Sequence, residues 1–297
     1  MSADLAVATP AYVDLTFVGL EALPGPGDEC FAGDLLRSPG GGAITAIGGA
    51  RLGLKTVLAA PLGDDVAGEF VRELLTAEGV EVGPPRGPRT PTTVVMPVGG
   101  DRAMVTVDPG VRATAADVAR CEPRAVVANL ELADLVPAGA HGYLTCGDDD
   151  ARAYAGGRLE GRLQSTRALI CDTREACILT GADNPREAAR RLAALGPDSV
   201  VVNQGADGAV AALDGRIIDV PAADVGRGVD PTGDRDLLAA AYAWADLRGA
   251  APEEQLRWGI LYAALSVLVP TGAAGAVTCE QLLEEGRRRG LAAPPAA

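Results

Sequence analysis

The chain has 297 residues, of which 48% are hydrophobic and 22% are charged, and this composition supports a sizeable packed core rather than general disorder. With 40 acidic against 26 basic residues the net charge is −14, so we expect no binding to nucleic acid or to an anionic membrane surface, which would repel the chain. The single histidine, His141, excludes multi-histidine metal sites.

Short apolar runs alternate with helical patterns through most of the chain. Strands are predicted at residues 5–8, 56–61, 125–128, 168–171 and 200–203. Helices are predicted at residues 40–52, 66–78, 185–195, 233–247 and 252–268. This alternation predicts an α/β fold, in which a mostly parallel central sheet carries helices on both faces.

Two stretches, residues 14–37 and 90–107, interrupt this order because they are rich in Val and Thr and contain Gly/Pro turns, such as Gly99-Gly100, but no helical pattern. We interpret them as a small β-sheet lid that is discontinuous in sequence and inserted into the α/β body. Body and lid form one domain over residues 1–290, and the Ala/Pro-rich residues 291–297 are predicted to be a disordered tail. Because a small sheet has edges and an exposed face, we also expect a homodimer through the lid.

The start of the chain lacks the basic flank and apolar core of a signal peptide, and no apolar stretch is long enough to span a membrane. The six cysteines have no Cys-x-x-Cys spacing and are predicted to be reduced. We therefore expect a cytoplasmic protein with no membrane partner.

Three glycine-rich segments lie next to predicted strands and helices: Gly40-Gly41-Gly42, residues 63–68 (GDDVAG) and residues 205–208 (GADG). Glycine lets a ligand approach the backbone, and free N–H groups at a helix start bind anionic groups. Plain turns are the alternative for all three segments, with Asp64 or Asp65 as an N-cap in the second.

The segment from Val229 to Asp236 (VDPTGDRD) is the most informative, because it opens a long apolar helix. Its backbone N–H groups can face developing negative charge, and Asp236 can accept the proton of a substrate hydroxyl. The alternative is a capped helix start, with Thr232 or Asp234 as the N-cap.

In their order and spacing these segments resemble the ribokinase-like (PfkB-type) carbohydrate kinases, and the resemblance covers nearly the whole chain. The segments that carry it are residues 40–53 (GGGAITAIGGARLG), residues 63–68, Pro91-Thr92, Gly100-Asp101-Arg102, Asp172-x-x-Glu175 followed by Leu179-Thr180-Gly181, residues 230–236 and residues 272–276 (GAAGA). The resemblance implies a ribokinase-like three-layer sandwich that transfers the γ-phosphoryl group of ATP to a carbohydrate hydroxyl. It also implies Mg²⁺ and a monovalent cation near Asp230, and a sugar or, alternatively, a nucleoside as the acceptor.

Position by position, the resemblance makes Asp236 the catalytic base, places an anion hole around it, and lets Glu175 organise Mg²⁺ through water. The predicted catalytic residues are Asp236, Gly233, Asp234 and Arg235. The predicted acceptor contacts are Asp14, Gly41, Gly42 and Ile44. The predicted nucleotide contacts are Gly205, Gly208, Asp230, Thr232, Gly272 and Gly275.

Three departures from the family pattern bear on activity. Asp234 and Arg235 stand where the family has Ala-Gly, which adds negative charge and bulk to an anion site, although Arg235 could supply a compensating positive charge. Ile44 replaces an Asn of the glycine-rich helix, and Asp172 replaces the Asn of the Asn-x-x-Glu motif. The alternative to an active kinase is therefore a catalytically impaired relative that binds ligand without turnover.

Overall fold

The computed structural model describes residues 2–84, 86–98, 101–159, 161–164 and 166–295. Within these residues the chain forms thirteen strands in two sheets. The strands are β1 (Leu5–Val7), β2 (Ala11–Val18), β3 (Asp34–Gly41), β4 (Thr56–Leu58), β5 (Glu81–Val82), β6 (Thr92–Val98), β7 (Asp101–Val107), β8 (Ala125–Asn129), β9 (His141–Thr145), β10 (Thr166–Asp172), β11 (Ser199–Asn203), β12 (Ala209–Leu213) and β13 (Arg216–Val220).

The larger sheet has nine strands in the order β13-β12-β11-β10-β9-β8-β1-β4-β5. Neighbouring strands from β11 to β5 are parallel, whereas β12 runs antiparallel to both β11 and β13. The residues of β1, and nearly all of those of β8 and β11, are buried, as expected for all-apolar strands with helices on both faces. The predicted mostly parallel central sheet is confirmed.

Ten α-helices lie in the described part of the chain. They are α1 (Gly42–Arg51), α2 (Val66–Ala77), α3 (Ala115–Ala119), α4 (Asp148–Tyr154), α5 (Thr173–Thr180), α6 (Pro185–Ala193), α7 (Asp234–Leu247), α8 (Pro252–Ser266), α9 (Gly272–Gly275) and α10 (Cys279–Arg288). Among these ten, none is both long and apolar enough to cross a membrane.

The helices cover the two faces of the large sheet and bury one apolar cluster on each face. Leu5 and Val7 of β1 belong to the cluster that contains the core residues of α1, α2, α7, α8 and α10, whereas Ala6, between them, belongs to the cluster that contains those of α3, α4, α5 and α6. Successive side chains of a strand point to opposite faces, so this division follows directly from the strand geometry. The result is the predicted three-layer sandwich.

The second sheet is small and has the order β3-β2-β6-β7. Strand β2 is antiparallel to β3 and parallel to β6, and β6 is antiparallel to β7. No helix lies in the described residues of the ranges 14–37 and 90–107. The predicted Gly99-Gly100 turn, and with it Gly100 of the Gly100-Asp101-Arg102 segment, lies outside the described residues.

The small sheet extends further than residues 14–37, since the ladder between β2 and β3 runs from Val18 with Asp34 to Ala11 with Gly41. Helix α1 accordingly begins at Gly42 rather than at residue 40. A Cβ atom on Gly42 would lie 2.1 Å from the carbonyl oxygen of Thr9, so this close junction between sheet and helix requires glycine.

Asp65, rather than Asp64, caps α2. One of its carboxylate oxygens accepts hydrogen bonds from Gly68 N at 2.8 Å and from Thr90 Oγ1 at 2.7 Å, and the other accepts one from Thr90 N at 3.0 Å. Residues 63–68 therefore form the strand-to-helix turn given as the alternative, and they also tie α2 to the chain entering β6.

The chain after α10 contacts the body. Leu291 packs against the core, and Trp258 Nε1 donates a hydrogen bond to the carbonyl oxygen of Ala292 at 3.2 Å. These contacts do not fit disorder at residues 291 and 292, and residues 296 and 297 of the predicted tail lie outside the described residues.

Candidate active site

The first turn of α7 carries the predicted catalytic residues. Gly233 is the N-cap and has φ +83°, and no side chain caps this helix, so the alternative of a Thr232 or Asp234 cap is not observed. A Cβ atom on Gly233 would lie 2.9 Å from both Gly272 Cα and Ile44 Cδ1. Backbone conformation and space therefore both require glycine at this position.

Asp236 lies in this first turn and is half-buried. Its Oδ1 accepts a hydrogen bond from Thr45 Oγ1 of α1 at 3.3 Å. Burial raises the pKa of Asp236 to about 6, and the negative charge of Asp234 adds to this, whereas Arg235, Thr45 and Arg102 oppose it. A carboxylate with this pKa is ionised at neutral pH and can accept a proton from a hydroxyl.

Asp14 brings a second carboxyl group to the site from the small sheet. Asp14 is 6% exposed. Its burial, together with the negative charges of Asp236 and Asp230, raises its pKa to about 7, and the positive charge of Arg102 opposes this rise. A Cβ atom on Gly40 would lie 2.3 Å from both carboxyl oxygens of Asp14, so Gly40 provides the space for this group. The body and the small sheet thus supply one acid each.

The other predicted acceptor contacts serve the junction around α1. Gly42 N donates to the carbonyl oxygen of Pro10 at 2.9 Å, so this N–H group is not available to a ligand. Gly41 has φ +55°, and a Cβ atom there would lie 2.7 Å from the same oxygen. Ile44 is 1% exposed and packs beneath Gly233, a placement that does not fit the predicted acceptor contact.

A cavity of about 570 Å³ runs along the loop before α7 and one side of α8. Its lining consists of Asn203, Gly205, Ala206, Ala222, Ala223, Asp224, Val225, Gly226, Gly228, Val229, Asp230, Pro231, Asp234, Ile260, Ala263, Ala264 and Val267. The cavity is mostly apolar at the α8 side and polar at the start of α7, which fits a ligand with a flat apolar ring and a polar end. Of the predicted nucleotide contacts, Gly205 and Asp230 line it.

The remaining predicted nucleotide contacts bring backbone segments close together. A Cβ atom on Gly208 would lie 2.1 Å from the carbonyl oxygen of Val220 in β13. A Cβ atom on Gly275 would lie 2.2 Å from the carbonyl oxygen of Ser266 at the end of α8. A Cβ atom on Gly272 would lie 2.6 Å from the carbonyl oxygen of Thr232. Asp230 accepts hydrogen bonds from Thr232 N and Thr271 N, each at 2.9 Å, and thereby joins the loop before α7 to the loop before α9.

A second cavity, of about 280 Å³, adjoins the first. It is lined by Arg102, Asp172, Thr173, Arg174, Asn203, Gln204, Gly205, Asp234 and Arg235. Asn203, Gly205 and Asp234 line both cavities, so the two form one continuous cleft along the start of α7. We refer to them below as the large cavity and the arginine cavity.

Asp234 and Arg235 each have a partner at this cleft. Asp234 accepts hydrogen bonds from Arg235 N at 2.7 Å and from Asn203 Nδ2 at 3.2 Å. Arg235 Nη1 lies 2.5 Å from both carboxylate oxygens of Glu175. Burial raises the pKa of Glu175 while the positive charge of Arg235 opposes the rise, and the same ion pair raises the pKa of Arg235 against the effect of its burial.

Glu175 belongs to the capping box of α5, in which Asp172 N donates to Glu175 Oε2 at 2.8 Å and Glu175 N donates to Asp172 Oδ1 at 2.7 Å. Both carboxylate oxygens therefore already have partners, and the positive charge of Arg235 beside them opposes a divalent cation, so the arrangement does not fit the metal-bound water predicted for Glu175. Across the described ranges, no group of three or more His, Cys, Asp or Glu side chains could hold a metal ion.

Three polar residues of the site had no role in the sequence prediction: Thr45, Asn203 and Arg102. Thr45 is separated from Asp236 by 191 residues and Asn203 from Asp234 by 31, so no local pattern connects them. Arg102 belonged to a recognised segment, but only the fold brings its charge close enough to oppose the rise in the pKa of Asp14 and of Asp236.

Comparison with known proteins agrees with this architecture. The family model described as pfkB family carbohydrate kinase matches residues 27–139 and 148–279. Ribokinase from Thermotoga maritima has 20% identity and a TM-score of 0.82, over 96% of this chain and 99% of that chain. Arabidopsis thaliana ribokinase complexed with ribose and ATP has 24% identity and a TM-score of 0.76, over 96% of this chain and 99% of that chain.

Adenosine kinase from Sinorhizobium meliloti has 19% identity and a TM-score of 0.79, over 96% of this chain and 100% of that chain. At these identities the likeness establishes the fold, which confirms the predicted ribokinase-like sandwich with its small sheet. No curated protein sequence matches the chain.

Proposed function

The chain belongs to the PfkB family of carbohydrate kinases, and from this premise we propose that it transfers the γ-phosphoryl group of ATP to a hydroxyl of a sugar. The observation that carries the proposal is the position of Asp236. Asp236 is the next residue after Asp234 and Arg235, which line the cleft. Its negative charge helps to raise the pKa of Asp14 in the small sheet. A base between a nucleotide cleft and a second buried acid is the arrangement that hydroxyl phosphorylation needs.

In this mechanism the acceptor hydroxyl gives its proton to the carboxylate of Asp236 as its oxygen attacks the γ-phosphorus. The bond between the γ-phosphorus and the bridging oxygen breaks, and ADP leaves with that bond's electron pair. Arg235 and Arg102 bring positive charge to the cleft, which favours the charge that builds up on the transferred group. Asp14 orients the acceptor by hydrogen bonding to its other hydroxyl groups.

We propose that ATP binds with its base in the large cavity and its phosphates at the start of α7. The mechanism uses no metal-bound water on Glu175, because Arg235 contacts both oxygens of that carboxylate. Mg²⁺, a monovalent cation near Asp230, and a cytoplasmic location stay predictions. For assembly we propose a homodimer through the small sheet.

The direct test is ADP release from ATP in the presence of Mg²⁺, measured across a panel of sugars and nucleosides. We expect release with a sugar, and a fall of about 10²–10⁴-fold in Asp236→Ala with ligand binding retained, since a positioned base contributes this much. Asp149→Ala is the matched control, because Asp149 also lies in the first turn of a helix, α4, but is exposed.

The panel separates the alternatives. Release with nucleosides alone would identify a nucleoside kinase of the same family. Binding of ATP and an acceptor without ADP release would identify the catalytically impaired relative that the replaced Ala-Gly pair suggests.

A further inference from the structure

We propose that the guanidinium of Arg235 supplies the positive charge that binds the terminal phosphate of the nucleotide. It lies beside Glu175, where the resemblance implies a metal-bound water. The phosphate then needs no divalent cation on Glu175. The proposal rests on the nucleotide-binding function given above and adds the group that neutralises the phosphate.

The first support is the geometry of the ion pair. The Glu175 side chain is 5% exposed and that of Arg235 is 31% exposed, so the carboxylate is enclosed while the guanidinium reaches the cleft. A guanidinium has five N–H donors. Among the described residues the guanidinium of Arg235 donates to the protein only through Nη1, which contacts Glu175, and the N–H groups on Nε and Nη2 are left for a ligand.

The second support is the chemistry of the arginine cavity. Arg102, Arg174 and Arg235 line it together with Asp172 and Asp234. Arg174 and Arg235 pair with Asp148 and Glu175, so the cavity gains no excess of positive charge from them, but their guanidinium groups present N–H donors, which suit an anion rather than a metal cation. Arginine also presents its donors as a planar fork that matches two phosphate oxygens.

The third support is the continuity of the cleft. Because Asn203, Gly205 and Asp234 line both cavities, a nucleotide with its base in the large cavity extends its phosphates into the arginine cavity. Arg235 is therefore placed at the phosphate end, one residue before the base Asp236.

The test is ADP binding measured by isothermal titration calorimetry on the full chain, once with EDTA and once with Mg²⁺. We expect the dissociation constant of the wild type to differ by less than about 3-fold between the two buffers. Arg235→Ala should weaken binding in EDTA by about 10-fold or more, the usual effect of losing a hydrogen bond to a charged group. Mg²⁺ should then restore binding, because Glu175 is released to organise it.

Arg235→Ala leaves a buried carboxylate without its partner, so the double variant Arg235→Ala/Glu175→Gln guards against loss of folding. It should bind ADP in EDTA as weakly as the single variant and should not recover with Mg²⁺. Arg152→Ala is the control, because this exposed arginine of α4 lines neither cavity of the cleft.

The outcomes separate the two claims. A wild type that needs Mg²⁺ for ADP binding, or a double variant that binds as the wild type does in EDTA, overturns the role of Arg235 and leaves the kinase function standing. A wild type that binds no ADP in either buffer overturns the kinase function and the role of Arg235 together.

Discussion

At the scale of single residues, the two departures in the first turn of α7 have compensating partners. Asp234 adds a negative charge to the proposed anion site, but its carboxylate accepts hydrogen bonds from Arg235 N and Asn203 Nδ2. Arg235 adds bulk, but its guanidinium neutralises Glu175. Each replacement therefore fits the residues around it, which favours a specialised site over a damaged one.

The pKa of Asp236 predicts the pH dependence of catalysis. Because its pKa is raised to about 6, the fraction of ionised base falls as the pH falls through 6, and kcat/KM should fall with it. The hydrogen bond from Thr45 favours the ionised form, so Thr45→Val should move this acid limb to higher pH. The measurement is kcat/KM from pH 5 to 9, and a limb in Thr45→Val that stays or moves lower would contradict the assignment.

The pKa of Asp14 predicts a stabilising substitution. The folded protein holds the proton of Asp14 up to a pKa of about 7, whereas the ordinary value is 3.8, so stability is lost as the pH rises between these values. Asn cannot ionise, and Asp14→Asn should therefore raise the free energy of unfolding by roughly 1–3 kcal/mol at pH 8 and by little at pH 4.

Urea unfolding at both pH values measures this difference, and the variant should also lose affinity for the acceptor. Equal effects at pH 4 and pH 8 would show that the carboxyl group of Asp14 is not the cause.

At the scale of elements, the position of the proposed base Asp236 depends on the close packing of α1 on α7. A Cβ atom on Gly48 of α1 would lie 2.5 Å from Leu237 Cδ2 and 3.2 Å from Ala240 Cβ, two residues of α7 that are fully buried. The same interface contains the hydrogen bond between Thr45 and Asp236. Glycine in a helix interior is about 1 kcal/mol less favourable than alanine, and the close approach of the two helices offsets that cost.

Gly48→Val should therefore destabilise the protein, by roughly 1–3 kcal/mol, because overpacking a buried interface costs more than the gain in propensity. It should also lower kcat/KM by shifting Thr45 away from Asp236. Thermal unfolding and activity are compared with those of Gly147→Val, since a Cβ atom on Gly147 meets no atom within 4 Å. An unchanged Tm for Gly48→Val would contradict the packing argument.

The elements that the sequence predicted well are those with a continuous local signal. Strands β8 and β11 are uninterrupted apolar runs, and α7 and α8 are long apolar helices, so their bounds came out within one or two residues. The short helices α3, α4 and α5 were missed, because five to eight residues are too few to show a helical repeat. The starts of α3 and α5 are marked instead by capping boxes, at Thr114 and Asp172. The segment at residues 205–208 proved to be both a turn between antiparallel strands and part of the cleft.

The candidate site was predictable only where a motif marks it. Asp236, Gly233 and Asp14 come from motif positions, whereas the contact between Arg235 and Glu175 joins residues 60 positions apart. Such a pairing depends on how α5 and α7 are placed by the sheet, and no spacing rule encodes it.

At the scale of the whole molecule, the small sheet exposes apolar side chains. On its edge strand β7, Met104, Val105 and Val107 are 54%, 60% and 61% exposed, and Leu35 on the opposite edge strand is 50% exposed. An edge strand with exposed apolar residues is a natural site for pairing with a second copy. We therefore expect a dimer of about twice 30.1 kDa by light scattering at micromolar concentration.

Val105→Glu should shift this dimer to the monomer without unfolding it, because it places a charge in the contact. Val66→Glu is the matched control, since Val66 is 77% exposed on α2 of the body. A wild type that is already monomeric would contradict the proposed assembly.

The junction between small sheet and body has a mechanical consequence. The chain crosses it where Gly42 N hydrogen-bonds to Pro10 and where Asp65 accepts hydrogen bonds from Thr90, so any tilt of the sheet would pivot about these two tethers. A tilt that moves Arg102 away from Asp236 would work against the attraction between their charges. Because dissolved salt screens that attraction, we expect such a tilt to become easier as the ionic strength rises. The salt concentration of the solution would thus set how firmly the small sheet is held against the body.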